Sequence, residues 1–237
     1  MLPCSAVRFR ECSFIAFDND GTLYPSGEAV GQAVLTAHRE YVERHHLGIP
    51  TPEPEWVRAM IGGDAKDFYQ AMLPGMGPEV QRDFEEFCLD YETETVKRFP
   101  GLYVGAEELL AALQSRAKTM VLVSNGSPRY VQSVWDSAGL GRFMVAMYPY
   151  IQPEALTKGE RLAQALREWG GRMNGELAPA VMVGDRASDL QAAREVGALF
   201  IGCAYGYGDS SELYGADAVV QSIGELADLL IGEEELR

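Results

Sequence analysis

A chain of 237 residues, 47% hydrophobic and 23% charged, has the size and composition of a globular protein with its own core, which excludes a collagen-like repeat, a low-complexity scaffold and a disordered chain. Its formal net charge of −15 repels polyanions, so neither nucleic acid nor an anionic membrane surface is an expected partner, and a small anionic substrate would need a local positive site. No run approaches the roughly eighteen apolar residues of a membrane span, no secretory leader pattern is present, and Cys4, Cys12, Cys88 and Cys203 show no zinc or redox spacing, so free thiols in a reducing cytoplasm are expected.

In chain order, the first apolar run, residues 13–17, reads as a buried strand and leads into Asp18-Asn19-Asp20-Gly21-Thr22. From about residue 29 to 98 the rhythm changes. Val30, Val34, Ala37 and Tyr41 recur at helical spacing and strand signals almost vanish, so a helical insertion is expected, closed by the Pro100-Gly101 break. Further strands are expected at 119–123, 180–183, 198–201 and 218–220, with a weaker one at 145–148. Helical patterns at 107–117, 162–169, 190–196 and 223–230 alternate with them, and such alternation implies an α/β fold with a mostly parallel sheet covered on both faces. The chain thus divides into a core, residues 1–28 and 99–237, and an inserted helical domain, residues 29–98. The acidic run at 233–235 reads as a solvated end.

Four segments carry groups whose position matters. Asp20-Gly21 is by itself a turn signal, but ligands of open parallel sheets bind beyond the carboxyl ends of strands, where Asp18 and Asp20 could meet a metal and a reacting group. After the strand at 119–123, Ser127 and Pro128 are explained as a helix start. Ser124 and the amides near Asn125 and Gly126 are left over, and suit an anion such as phosphate. Only four lysines are present, and Lys158 would open a helix behind a Thr157–Glu160 capping box, where the helix dipole disfavours a cation. Its partner is either a surface acid, Glu160 or Glu154, or the cluster of Asp18, Asp20 and Asp185. A Ser188–Gln191 capping box would explain Asp189 but leaves Asp185 at a strand tip, and strand-tip carboxylates with water describe a magnesium site.

Acid pair, hydroxyl, lysine and second acid pair, in that order, resemble the four motifs of the haloacid dehalogenase superfamily: Asp18-Asn19-Asp20-Gly21-Thr22, Ser124-Asn125-Gly126, Lys158, and Gly184-Asp185 with Asp189. The likeness spans nearly the whole chain, and the helical insertion and the Gly206-Tyr207-Gly208 region look like the phosphoglycolate phosphatase branch. It implies a Rossmann-like core with an α-helical cap and a magnesium-dependent phosphatase acting on a small phosphorylated metabolite. By this resemblance Asp18 is the nucleophile that becomes an aspartyl-phosphate, Asp20 the acid and base, and Lys158 the catalytic cation. Thr22, Ser124, Asn125 and Gly126 would bind substrate. The metal would be held by Asp18, Asp185 and the backbone carbonyl of Asp20, with Asp189 behind them.

Ile61-Gly62-Gly63-Asp64-Ala65-Lys66 is similar to the substrate-selecting loop of such caps, so Lys66 is a candidate for a substrate carboxylate or phosphate, a surface lysine being the other reading. Two departures stand out. The branch usually carries Lys-Pro-x-Pro where this chain has Gln152-Pro153-Glu154 and then Lys158, and Asn19 replaces a large apolar residue. The second aspartate, Asp20, argues against halide displacement. A nucleotidase, to which Leu23-Tyr24-Pro25 is similar, a sugar-phosphate mutase, a phosphonatase and a non-catalytic phosphate-binding module are the alternatives. The G-x-G-x-x-G expected of a nicotinamide enzyme is missing after the early strand.

Overall fold

The computed structural model describes residues 4–151, 156–173 and 176–232; the Gln152-Pro153-Glu154 segment and the acidic run at 233–235 lie outside it, as does the side chain of Cys4. The chain opens with α1 (Cys4–Glu11) and β1 (Phe14–Phe17), then passes through four successive helices, α2 (Ala29–Arg44), α3 (Pro54–Met60), α4 (Ala65–Met72) and α5 (Pro78–Arg98). Next come α6 (Ala106–Ser115), β2 (Thr119–Val123), α7 (Pro128–Ser137), β3 (Ala146–Tyr148) and α8 (Lys158–Trp169). A short antiparallel ribbon, β4 (Arg172–Met173) with β5 (Glu176–Leu177), precedes β6 (Ala180–Gly184), α9 (Ala187–Val196), β7 (Leu199–Cys203), β8 (Ala218–Val220) and α10 (Ile223–Leu230).

Six strands form one parallel sheet in the order β3-β2-β1-β6-β7-β8. Successive strand side chains point to opposite faces, and both faces are dry. Phe14, Ala16, Val121, Met182 and Phe200 pack with Leu162 and Leu166 of α8 and Ala192 of α9. On the other face Ile15, Phe17, Leu122, Val183 and Ile201 join one apolar cluster with α6, α7, α10 and the helices between β1 and α6. That cluster runs on through Val34, Phe84 and Leu89, and α5 packs against both α2 and α7. Among the described residues no helix is long and apolar enough to cross a membrane, and Cys12, Cys88 and Cys203 are buried free thiols.

The structure departs from expectation mainly at polar ends. The α9 helix begins at Ala187, earlier than the apolar periodicity indicates, because its first turn carries polar residues, whereas α8 begins at Lys158, where the expected capping box places it. The Thr157–Glu160 capping box is present, with Glu160 N donating to Thr157 Oγ1 at 3.1 Å and Thr157 N to Glu160 Oε2 at 2.8 Å. Ser127 stands at the N-cap of α7 with Pro128 following, but its hydroxyl makes no capping bond, so the extended backbone and the proline start that helix. The α1 helix and the ribbon were not signalled by the sequence; α1 is held by packing on α10 and by Arg10 Nη2 donating to Asp228 O at 2.9 Å.

Phe200 is fully buried in the central sheet. Its replacement by alanine is expected to lower unfolding free energy by about 3–5 kcal/mol, measured by chemical denaturation, through lost transfer energy and a residual cavity.

Candidate active site

Register brings the acids together. Phe17 of β1 lies beside Val183 of β6, and Asp18 N extends the ladder by donating to Val183 O at 2.9 Å. Asp18 and Asp185 therefore leave adjacent strands at the carboxyl edge, where crossovers depart in opposite directions from the centre of the sheet. Asp189, in the first turn of α9, completes a trio whose oxygens lie within 4.8 Å of one another. Lys158 Nζ sits 2.7 Å from Asp18 Oδ1 and 2.5 Å from Asp189 Oδ1. Thus its partners are the buried acids, while Glu160 is engaged in the capping box and Glu154 lies outside the described residues.

The α9 start corrects the expected Ser188–Gln191 box. Arg186 is the N-cap, and Asp189 Oδ2 accepts from Arg186 N at 3.0 Å. Asp185 Oδ2 accepts from Tyr207 N at 2.6 Å and Gly208 N at 3.3 Å, which aims the carboxylate inward. Glycine is required around it: a Cβ on Gly21 or Gly206 would run into the Asp185 carboxylate. Asp18 Oδ2 and Asp185 Oδ1 are buried with no hydrogen-bond partner.

These atoms fit a hard divalent cation such as magnesium, which takes carboxylate oxygens and keeps several waters. Three carboxylates share one ammonium in a dry setting. Burial first, then the charges of Asp189 and Asp185, push Asp18 well above the usual carboxylate range against the pull of Lys158. Burial and Asp189 likewise push Asp185 up to about 7. Burial works against the charge on Lys158, but Asp18 and Asp189 outweigh it and hold the amine above its ordinary value.

Asp20 points elsewhere. Tyr130 donates its hydroxyl to Asp20 Oδ1 at 2.5 Å and Asn19 Nδ2 donates to Oδ2 at 3.1 Å, which holds the carboxyl away from the Asp18, Asp185 and Asp189 trio. Burial raises its pKa despite those bonds. Its carboxyl faces a cavity of about 60 Å³ between the helices α2 to α5 and the Asn125-Gly126-Ser127 loop. Thr22 is buried beneath the loop, and its carbonyl accepts from Tyr205 at 2.9 Å. Ser124 Oγ accepts from Gly126 N at 3.1 Å.

Arg161, Tyr130 and Tyr207 were not singled out as site residues by sequence. Arg161 is 4% exposed and holds the Ser124 loop from below, donating to Ser124 O and to Asn125 Oδ1, each at 2.6 Å. Its signal was available, since it lies one helical turn after Lys158. Lys66 is not brought to this assembly; it is exposed on α4 and borders a separate recess with Gln70, Gln81 and Arg82. Ala65, Phe68, Tyr69 and Met72 form the buried face of α4, which leaves Lys66 on the solvent side.

A family model described as haloacid dehalogenase-like hydrolase matches residues 13–197. The chain belongs to this family. It is similar to a phosphoglycolate phosphatase of Chromobacterium violaceum, 33% identical over 231 residues, covering 94% of this chain and 99% of that protein. A phosphoglycolate phosphatase of Vibrio vulnificus is 25% identical over 236 residues, with 94% and 97% covered. In fold it resembles a predicted phosphatase from Clostridium acetobutylicum, with TM-score 0.75, 22% identity, and 92% of this chain and 97% of that one covered. The crystal structure of CbbY from Rhodobacter sphaeroides in complex with phosphate gives a TM-score of 0.72 at 19% identity, with 91% and 96% covered. This haloacid dehalogenase-like hydrolase is an enzyme of the phosphatase class.

The raised carboxyl groups set a testable sign. Asp18 and Asp185 bind protons more tightly in the fold than in the unfolded chain, so metal-free stability is expected to fall as pH rises from the ordinary carboxylate range through about 7. A divalent cation needs the deprotonated acids and removes that loss. The rise in Tm on adding magnesium is expected to be larger near about pH 8 than near about pH 5.5, and to disappear in Asp185→Asn, read by thermal denaturation.

Proposed function

We propose that this enzyme is a magnesium-dependent phosphatase that hydrolyses a small-molecule phosphate monoester through an aspartyl-phosphate on Asp18; the relatives named phosphoglycolate phosphatase support the phosphate-ester class. The observation that carries the reading is the divergence of two acids on one loop: Asp18 enters the Lys158 cluster, while Asp20, two positions on, is buried against Tyr130 at the wall of a small cavity.

One Asp18 oxygen attacks phosphorus in line, an O–P bond forms, and the ester O–P bond breaks. Asp20, kept protonated by burial, gives its proton to the departing alkoxide. Water then attacks the phosphorus of the acyl phosphate, Asp20 takes a proton from it, and inorganic phosphate leaves with Asp18 restored. Lys158 orients Asp18 and offsets negative charge on the transferring group, while the Ser124 hydroxyl and the Asn125–Gly126 loop, stiffened by Arg161, cradle its oxygens. The Asp18 and Asp185 carboxylates and the Asp20 carbonyl, with Asp189 behind them, would hold a magnesium ion, whose positive charge would lower the repulsion between anionic nucleophile and phosphate dianion.

Residues 29–98 are read as a cap. Arg186 Nη2 donates to Ala59 O at 3.0 Å, and the Arg58 guanidinium lies 5.4 Å from the Tyr207 ring centre, so the helical segment meets the core beside Asp185. The cavity volume of about 60 Å³ favours a leaving group of few atoms over a nucleoside.

Phosphate release from a panel of phosphoglycolate, sugar phosphates, nucleoside monophosphates and p-nitrophenyl phosphate tests the reading. Chelation is expected to abolish it, and Asp18→Asn to reduce kcat by about a thousandfold or more with the fold intact by circular dichroism. Asp20→Asn is expected to slow alkyl phosphates by about 10²–10⁴-fold and p-nitrophenyl phosphate less, since that leaving group needs little protonation. Release that survives in Asp18→Asn would refute the nucleophile assignment.

A further inference from the structure

The cavity beside Asp20 has apolar walls from Val30, Val34, Ile61 and Phe68, and its polar lining includes Tyr69 and Glu92. Among the described residues no lysine, arginine or histidine lines it. Glu92 projects from α5 and is 4% exposed. Tyr69 donates its hydroxyl to both carboxylate oxygens, at 3.2 and 3.0 Å, and the Cys88 thiol lies 3.6 Å from Oε1.

Two features point beyond packing. A carboxylate offers about four acceptor sites, so one hydroxyl and one weak thiol leave acceptor capacity unused. A buried acid among apolar helices is also costly unless something pairs with it, and no cation lines this space. An ester whose leaving group ends in a carboxylate would set that charge beside the Glu92 carboxyl, which burial pushes up to about 7, with no cation among the lining residues to pair with it. An alcohol or ammonium would instead donate to Glu92, with its carbons against the aliphatic walls.

Within the phosphatase reading, we propose that the cavity selects phosphate monoesters whose leaving group is a short carbon chain ending in an uncharged or cationic hydrogen-bond donor, a hydroxyl or an ammonium received by Glu92. It disfavours the carboxylate of phosphoglycolate. Tyr69 is a positioning residue that fixes the Glu92 carboxylate.

The test compares kcat/KM for three two-carbon esters, 2-aminoethyl phosphate, 2-hydroxyethyl phosphate and 2-phosphoglycolate, with acetyl phosphate as a reporter of the chemistry alone. The magnesium-loaded wild type, Glu92→Gln and Tyr69→Phe are assayed. The wild type is expected to favour an amino or hydroxy ester over phosphoglycolate by at least about tenfold, and the better of the two identifies the donor. Glu92→Gln is expected to shrink that preference by at least about tenfold, chiefly through KM, and Tyr69→Phe to shrink it less. A wild type that prefers phosphoglycolate overturns the proposal while leaving the phosphatase reading intact. So does a preference unchanged in both variants, or in Tyr69→Phe should Glu92→Gln not fold. No turnover of any ester or of acetyl phosphate overturns both.

Discussion

Three buried carboxylates around one ammonium are the constraint on which the rest of the structure depends. Asp18, Asp185 and Asp189 lie within 4.8 Å of one another, and Lys158 reaches two of them. Like charges at this spacing in a dry site are strongly unfavourable unless fixed dipoles and a cation offset them. The fold provides the dipoles: the Arg186 amide serves Asp189, and the Tyr207 and Gly208 amides serve Asp185. The Asp185 side chain held there occupies the space that a Cβ on Gly21 or Gly206 would need. What remains unbalanced is negative charge, which a divalent cation matches and which leaves the site ready for a phosphate once that cation is in place.

In the proposed mechanism, the same geometry separates two chemistries that need opposite surroundings. A nucleophile must be ionised and near positive charge, whereas an acid must keep its proton. Asp18 continues the β1 ladder into the cluster, while the turn through Asn19 swings Asp20 towards Tyr130 on α7. One strand end thereby serves two compartments, one polar and acidic, the other small and largely apolar. Arg161 ties them, because it braces the Ser124–Asn125 loop that borders both.

The helices between β1 and α6 complete the second compartment without closing the first. Their apolar faces continue the core cluster through Val34, Phe84 and Leu89, so the segment sits on the core by ordinary hydrophobic packing. Its polar interior group, Glu92 with Tyr69, gives the compartment a character that the motif residues do not set.

The sequence alone established the parallel α/β core, because buried strands and amphipathic helices write periods of two and 3.6 into short local windows. It also placed Asp18, Asp20, Ser124, Lys158 and Asp185 at strand ends and helix starts, since those positions follow from where apolar runs stop. It missed α1 and the β4–β5 ribbon, whose short runs carry little periodicity and which depend on packing or pairing with neighbours. Only the tertiary structure decided that Lys158 turns to Asp18 and Asp189 and that Asp20 turns to Tyr130. The same holds for the Arg161 brace, the Tyr207 amide on Asp185, and the exposure of Lys66 where Glu92 faces the cavity. Local spacing determines which face of an element a residue occupies; strand register and helix packing, set by contacts far apart in the chain, determine what that face meets.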